Sequence, residues 1–176
     1  MIQGLLTARQ YFNKDNASEN SLRTKINQLW NDVEWDWYTN NKEVLTWHWS
    51  PNFGWAINHE IKGYNESLIT YVLAASSTSH PINQSVYHNG WTSGSDFANG
   101  NVYYQKWKLK LGPEMGGPLF FAHYSFLGLD PRNLADNYTN YWEQNVNHTL
   151  INREYCIKNP KQFIGYGAGS CGPFQD

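Results

Sequence analysis

Six of the nine tryptophans lie between Trp30 and Trp55, in the stretch WNDVEWDWYTNNKEVLTWHWSPNFGW. Asp32, Glu34, Asp36 and His48 are interleaved with these rings. A pyranose ring has an apolar C–H face that stacks on indole and a rim of hydroxyls that carboxylates, amides and imidazoles can bond, so a sugar site needs both kinds of side chain. A tryptophan-rich core is the alternative, but a core has no need of acids and an imidazole between its rings. The stretch therefore indicates carbohydrate binding.

The composition favours a neutral ligand over a charged one. A chain of 176 residues is long enough for one domain with a real core. Charged residues make up 16% of the sequence, below the usual quarter, and the net charge of −2 provides no basic surface. We therefore expect an uncharged polyol as partner, no nucleic acid and no membrane.

The sequence contains no pattern for a metal site, a cofactor site or an export signal. Two cysteines, Cys156 and Cys171, cannot define a disulfide framework, and no two of the six histidines are four residues apart as in a metalloprotease helix. We expect no metal and no cofactor. The start MIQGLLTARQ lacks the basic and apolar regions of a signal peptide. The cellular compartment stays open.

Two helices are predicted within residues 1–37. Apolar residues from Ile2 to Phe12 fit one face of the first helix. The segment from Asn16 to Asn20 is expected to break it, with Ser21 as the N-cap of a second helix that continues to Trp37. Asp36 would then lie near the C-terminal end of that helix, where a carboxylate opposes the helix dipole.

The remaining elements are predicted to be helices joined by long loops. Residues 44–57 fit a short β-hairpin or a structured loop, and a helix follows Gly63 with Asn65 and Glu66 in its first turn. An acid there is ordinary capping, so spacing alone does not assign Glu66 a catalytic role. Residues 76–117 are mostly loop, GGPLFFAHYSFLG forms an apolar helix and residues 133–159 form a long one. The total is about five helices with no convincing sheet.

Five blocks in order resemble the bacterial glucoamylase-like family that includes endo-β-1,2-glucanases. The blocks are VEWDWY, LTWHWSPNFGW, IKGYNESLITYVLAASSTSHPI, GGPLFFAHYSFLGLDPR and NHTLINREYCIKNP, and the resemblance covers nearly all of residues 1–167. It implies a mainly α fold, an incomplete (α/α)6 barrel with long loops, and hydrolysis of β-glucan, above all β-1,2-linked glucan. Members of this family are often exported.

The resemblance also implies roles for individual residues. Glu66, in the GYNE block, matches the general acid, and glycoside hydrolysis needs a second carboxylate beside it. For His80 and His123, the alternative to hydrogen bonding with a sugar is a hydrogen bond within the protein that serves the structure. The residues implied to surround the glucose subsites are Trp47, His48, Trp49, Trp55, Tyr64, Asn65, His80 and Tyr124.

The resemblance ends before the chain does. Residues 168–176, AGSCGPFQD, depart from the family pattern, so we expect residues 1–176 to form one partial domain. The partner carboxylate of Glu66 is expected outside this sequence, and open helix faces would favour self-association. Two functions therefore stand: a β-1,2-glucan hydrolase with Glu66 as acid, or a non-catalytic remnant that keeps a sugar-binding cleft.

Overall fold

The computed structural model describes residues 1–169 and contains five α-helices and one pair of short strands within them. Cys171 and most of the stretch that departs from the family pattern lie outside the described residues. The elements are α1 (Ile2–Tyr11), α2 (Ala17–Asn31), α3 (Leu68–Ser76), β1 (Val102–Tyr103), β2 (Trp107–Lys108), α4 (Leu119–His123) and α5 (Tyr141–Lys158). The predicted number of helices is confirmed. None of the helices in the described part of the chain is long and apolar enough to cross a membrane.

Helix α2 starts earlier than predicted because of an asparagine cap. The side chain of Asn16 accepts a hydrogen bond from Glu19 N at 3.0 Å, and Glu19 in turn accepts from Lys14 N at 2.8 Å. Asn16 is therefore the N-cap of α2, so the Asn-rich segment begins the helix instead of breaking it. Ser21 as N-cap was wrong. The predicted extension to Trp37 was wrong too, since α2 ends at Asn31 and Asp36 caps a 3-10 turn by accepting from Trp37 N.

Two further helix starts are displaced by asparagine and aspartate side chains. Asn65 Oδ1 accepts from Ser67 N at 2.9 Å, and α3 begins only at Leu68, so Asn65 and Glu66 precede the helix. Asp136 Oδ1 accepts from Tyr138 N and Thr139 N, which delays α5 from the predicted residue 133 to Tyr141. In both places a side chain competes with the helix for backbone donors.

The tryptophan-rich segment forms a structured loop without regular strands. Residues 44–62, called the tryptophan loop below, carry two isolated bridges, Thr46 to Glu60 and Ser50 to Gly54. The hydroxyl of Tyr71, on α3, accepts from Leu45 N at 3.0 Å and donates to Ile61 O at 2.9 Å. Both arms of the loop are therefore fixed to α3. The antiparallel pair β1–β2 lies instead in the segment predicted to be mostly loop.

The main core packs around α3 and the 3-10 turn Trp91–Ser93. Tyr71 and Trp91 are almost fully buried, and their ring centroids lie 5.3 Å apart. A smaller cluster of Tyr103, Leu109 and Ile151 joins the strand pair to α5. Helix α1 packs on α2, and α4 packs on α5. Through Tyr71, the core thus holds both the tryptophan loop and the turn at Trp91 against α3.

Candidate functional site

A cleft of about 960 Å³ opens where the tryptophan loop, the segment before α3 and residues 93–96 meet. Both long loops predicted from the sequence contribute to it, so they lie on the same side of the molecule. The cleft is lined by Trp47, Ile57, His59, Glu60, Ile61, Lys62, Gly63, Tyr64, Asn65, Glu66, Ser67, Ser93, Gly94, Ser95, Asp96, Pro113 and Phe121.

Glu66 lies in the cleft with its backbone fixed and its carboxylate unpaired. Ser125, fully buried, donates from Oγ to Glu66 O at 2.9 Å and accepts from Ile69 N at 3.0 Å. No side chain among residues 1–169 forms a hydrogen bond or ion pair with the Glu66 carboxylate. A half-buried carboxyl without a protein partner is available to exchange a proton with a bound molecule.

The two residues before Glu66 shape the wall of the cleft. Tyr64 is buried, its hydroxyl has no partner among the described residues, and burial raises the pKa of that hydroxyl. The Asn65 side chain donates to Lys62 O at 2.9 Å as well as accepting from Ser67 N. Asn65 therefore holds the turn that presents Glu66, and its amide is largely committed to that task.

The tryptophans named in the sequence analysis divide into two groups. Trp47 lines the cleft and is 59% exposed. Trp49 and Trp55 instead surround Trp37, with ring centroids at 5.3 Å and 4.6 Å from it. These three rings form an aromatic cluster that does not line the cleft. His48 lies between the groups and lines a small pocket of about 210 Å³ beside Phe53.

Two further candidates lie outside the cleft. His80 Nδ1 is 3.3 Å from Asp36 Oδ1, which joins the loop after α3 to the turn before Trp37. Tyr124 is exposed in the 3-10 turn after α4. His123 bonds Thr149 Oγ1 through Nε2 at 3.0 Å, as its alternative structural role required. From the block that contains Tyr124, only Phe121 lines the cleft.

Polar groups of residues 93–96 line the cleft together with Glu66 and were not predicted from the sequence. Ser93, Ser95 and Asp96 all line the cleft. The tight S-G-S-D turn between two large aromatics was the available signal, but it lay in a segment set aside as loop. Across residues 1–169, no group of three or more His, Cys, Asp or Glu side chains is placed to hold a metal ion.

Comparison with known proteins identifies the family. The model of the Glycoamylase family, described as "Putative glucoamylase", matches residues 58–172, about two thirds of the chain. The chain belongs to this family, and the resemblance inferred from the sequence blocks is confirmed.

The relatives are β-1,2-glucan-active proteins and family members of known structure. An exo beta-1,2-glucooligosaccharide sophorohydrolase (non-reducing end) from Parabacteroides distasonis is 45% identical over 98% of this chain. An endo-beta-1,2-glucanase from Chitinophaga pinensis, solved with sophorotriose and glucose, is 55% identical with a TM-score of 0.86 over 95% of this chain. A structure from Bacteroides uniformis with the same designation as the family is 57% identical with a TM-score of 0.89.

This chain spans only part of those proteins. It covers 26% of the Parabacteroides distasonis protein and 41% of each of the two solved chains. The predicted helical-barrel fold is confirmed for the part of the relatives that this chain spans.

Proposed function

We propose that this chain acts on β-glucan, with β-1,2-linked glucan as the preferred substrate, as a glycoside hydrolase whose general acid is Glu66. The observation that carries the proposal is the unpaired Glu66 carboxylate in a cleft with Trp47 on its wall. The sophorohydrolase and the endo-beta-1,2-glucanase named above support the choice of substrate.

The chemistry assigns a distinct task to each group. A glucosyl ring stacks on Trp47, and protonated Glu66 donates to the glycosidic oxygen as the bond to the anomeric carbon breaks. A second carboxylate must then act through water or as a nucleophile, and its distance from Glu66 decides between inversion and retention. Trp47, Tyr64 and Asn65 line the same cleft as Glu66.

The remaining candidates fit a longer ligand. Trp49, Trp55, His48, His80 and Tyr124 do not line the cleft, so they would contact only a glucan that extends beyond it. Trp55→Ala should therefore weaken the binding of long β-1,2-glucans and leave the disaccharide sophorose unaffected. The partner is a neutral oligosaccharide, and the net charge of −2 offers nothing for nucleic acid or an anionic membrane.

A second function is glucan binding without hydrolysis, and the exposed Trp47 ring on the wall of the cleft supports it as well. Stacking and hydrogen bonding need no catalytic partner, whereas hydrolysis needs both carboxylates. Binding is therefore common to the two functions and is the property to test first.

Isothermal titration calorimetry of the 176-residue chain with glucose trisaccharides linked β-1,2, β-1,3 and β-1,4 tests the proposal. We expect the β-1,2-linked ligand to bind best and Trp47→Ala to cost on the order of 1 kcal/mol. The control is Trp142→Ala, an exposed indole outside the cleft. Failure of all three ligands to bind a folded chain would contradict the proposal of carbohydrate binding. Equal affinities for the three ligands would contradict the proposed preference for the β-1,2 linkage.

A further inference from the structure

Three carboxylates line the cleft, and only one of them is neutralised. Glu60 pairs with Lys42 at 3.1 Å and with Lys62 at 2.7 Å, and these lysines lower the pKa of Glu60. Glu66 and Asp96 have no protein partner among residues 1–169. Asp96 is therefore the second carboxylate of the cleft that is free to bond a ligand.

Asp96 is presented by a turn that is fixed at both ends. Trp91 and Phe97, on either side of the turn, are almost fully buried. Phe97 N donates to Gly94 O at 3.0 Å, and Gly112 N donates to Phe97 O at 2.9 Å. These contacts hold the Asp96 backbone in place before a ligand arrives, which lowers the ordering cost of binding at this turn.

The same turn is in direct backbone contact with the segment that leads to Glu66. A Cβ atom added at Gly94 would lie 2.4 Å from both Cα and N of Gly63, and Gly63 N donates to Trp91 O at 2.9 Å. Gly63 itself has a φ of +114°, which favours glycine. Gly94 thus allows the close approach of the Asp96 turn to the segment that leads to Glu66, because a side chain at Gly94 would clash with the Gly63 backbone.

We propose that Asp96 is a substrate-binding residue, whose carboxylate accepts hydrogen bonds from vicinal hydroxyls of a glucosyl unit while Trp47 stacks on a sugar face. The Gly63–Gly94 contact is the device that positions it. The inference rests on the proposed function and deepens it, since it names a residue for ligand recognition that is distinct from the general acid. A carboxylate that accepts two hydroxyl donors gives orientation as well as affinity.

The test is calorimetric titration of the 176-residue chain with the β-1,2-linked trisaccharide sophorotriose. Asp96→Asn should weaken binding about five- to ten-fold, because bonds to a charged acceptor are stronger than bonds to a neutral one. Its melting temperature should stay unchanged, since Asp96 is exposed and unpaired. Glu143→Gln, an equal change of charge at an exposed acid of α5, is the matched control.

A second variant tests the positioning device. Gly94→Ala should weaken sophorotriose binding by a similar factor, because the added Cβ would push the Asp96 turn away from Gly63, whereas Gly4→Ala in α1, where nothing lies within 4 Å, should have no effect on binding. If the wild-type chain binds sophorotriose and Asp96→Asn binds as tightly as Glu143→Gln, the role of Asp96 is overturned and the proposed function stands. If the folded wild-type chain binds no glucan, both are overturned.

Discussion

A single buried hydroxyl holds Glu66 in place. Ser125 Oγ bridges Glu66 O and Ile69 N, and so joins the 3-10 turn after α4 to the start of α3. Ser125→Ala would leave a carbonyl and an amide without this partner, which costs about 1–3 kcal/mol where the groups are buried. Urea unfolding should show this loss. Ser76→Ala, which removes a hydroxyl bonded only within its own helix, should be near neutral.

Glu66 and Trp47 were identified from the sequence as candidate site residues, but the contacts that position them were not. Glu66 was assigned to the first helical turn, whereas the Asn65 side chain holds Ser67 N and keeps Glu66 outside the helix. Residue type indicated the chemistry of each side chain. Asp96 was missed because the contact that brings its turn to the cleft joins Gly63 and Gly94, which are far apart in the sequence. The sequence alone does not show this contact.

At the scale of elements, the Tyr71 hydroxyl fixes the tryptophan loop to α3. Tyr71→Phe removes both the acceptor for Leu45 N and the donor to Ile61 O. We expect a loss of about 1–3 kcal/mol and weaker oligosaccharide binding, because the loop that carries Trp47 would loosen. Tyr11→Phe, at an exposed tyrosine, is the control. Unchanged stability and binding in Tyr71→Phe would show that the loop is fixed elsewhere.

The buried tyrosines also predict alkaline instability. Burial raises the pKa of Tyr71 to about 12, above the value of 10.0 in an unfolded chain, and raises the pKa values of Tyr87 and Tyr141 as well. Between these values the unfolded chain has released a proton that the folded chain retains, so the free energy of unfolding falls as pH rises from about 10 to 12. Urea titrations across that window should show the decline, with a smaller slope in Tyr71→Phe. A flat profile would contradict it.

Element boundaries were the least predictable part of the fold. The apolar periodicity of α1 and of the helix after Gly63 was sufficient to predict both helices. The starts of α2, α3 and α5 were wrong because Asn16, Asn65 and Asp136 capture backbone donors. Such side-chain bonds depend on a few local rotamers, which periodicity does not report.

An apolar groove lies on the surface between helix α5 and the turn that follows helix α4. Its volume is about 660 Å³, and it is lined in part by Phe126, Leu127, Trp142, Val146 and Leu150. Leu127 is 72% exposed and Trp142 is 50% exposed. Exposed apolar surface of this kind favours association, so self-association through a second copy stays our prediction.

Sedimentation velocity checks that prediction. The chain should associate as its concentration rises, and Leu127→Glu should shift it toward monomer because a charge in the groove opposes burial. Ile164→Glu, at a fully exposed residue that does not line the groove, should leave the distribution unchanged. A monomer at every concentration would show that the groove does not hold a second copy.

Whether Glu66 is the general acid for β-1,2-glucan hydrolysis can be measured in a chimera. Residues 1–167 would replace the corresponding region of the Chitinophaga pinensis endo-beta-1,2-glucanase, which is 55% identical over 95% of this chain. Release of reducing sugar from β-1,2-glucan is then measured for the chimera and for its Glu66→Gln and Glu114→Gln variants, the last being an exposed acid outside the cleft. We predict that Glu66→Gln lowers kcat by about 100-fold or more but keeps sophorotriose binding, whereas Glu114→Gln keeps both activity and binding. Full activity in Glu66→Gln would contradict the assignment.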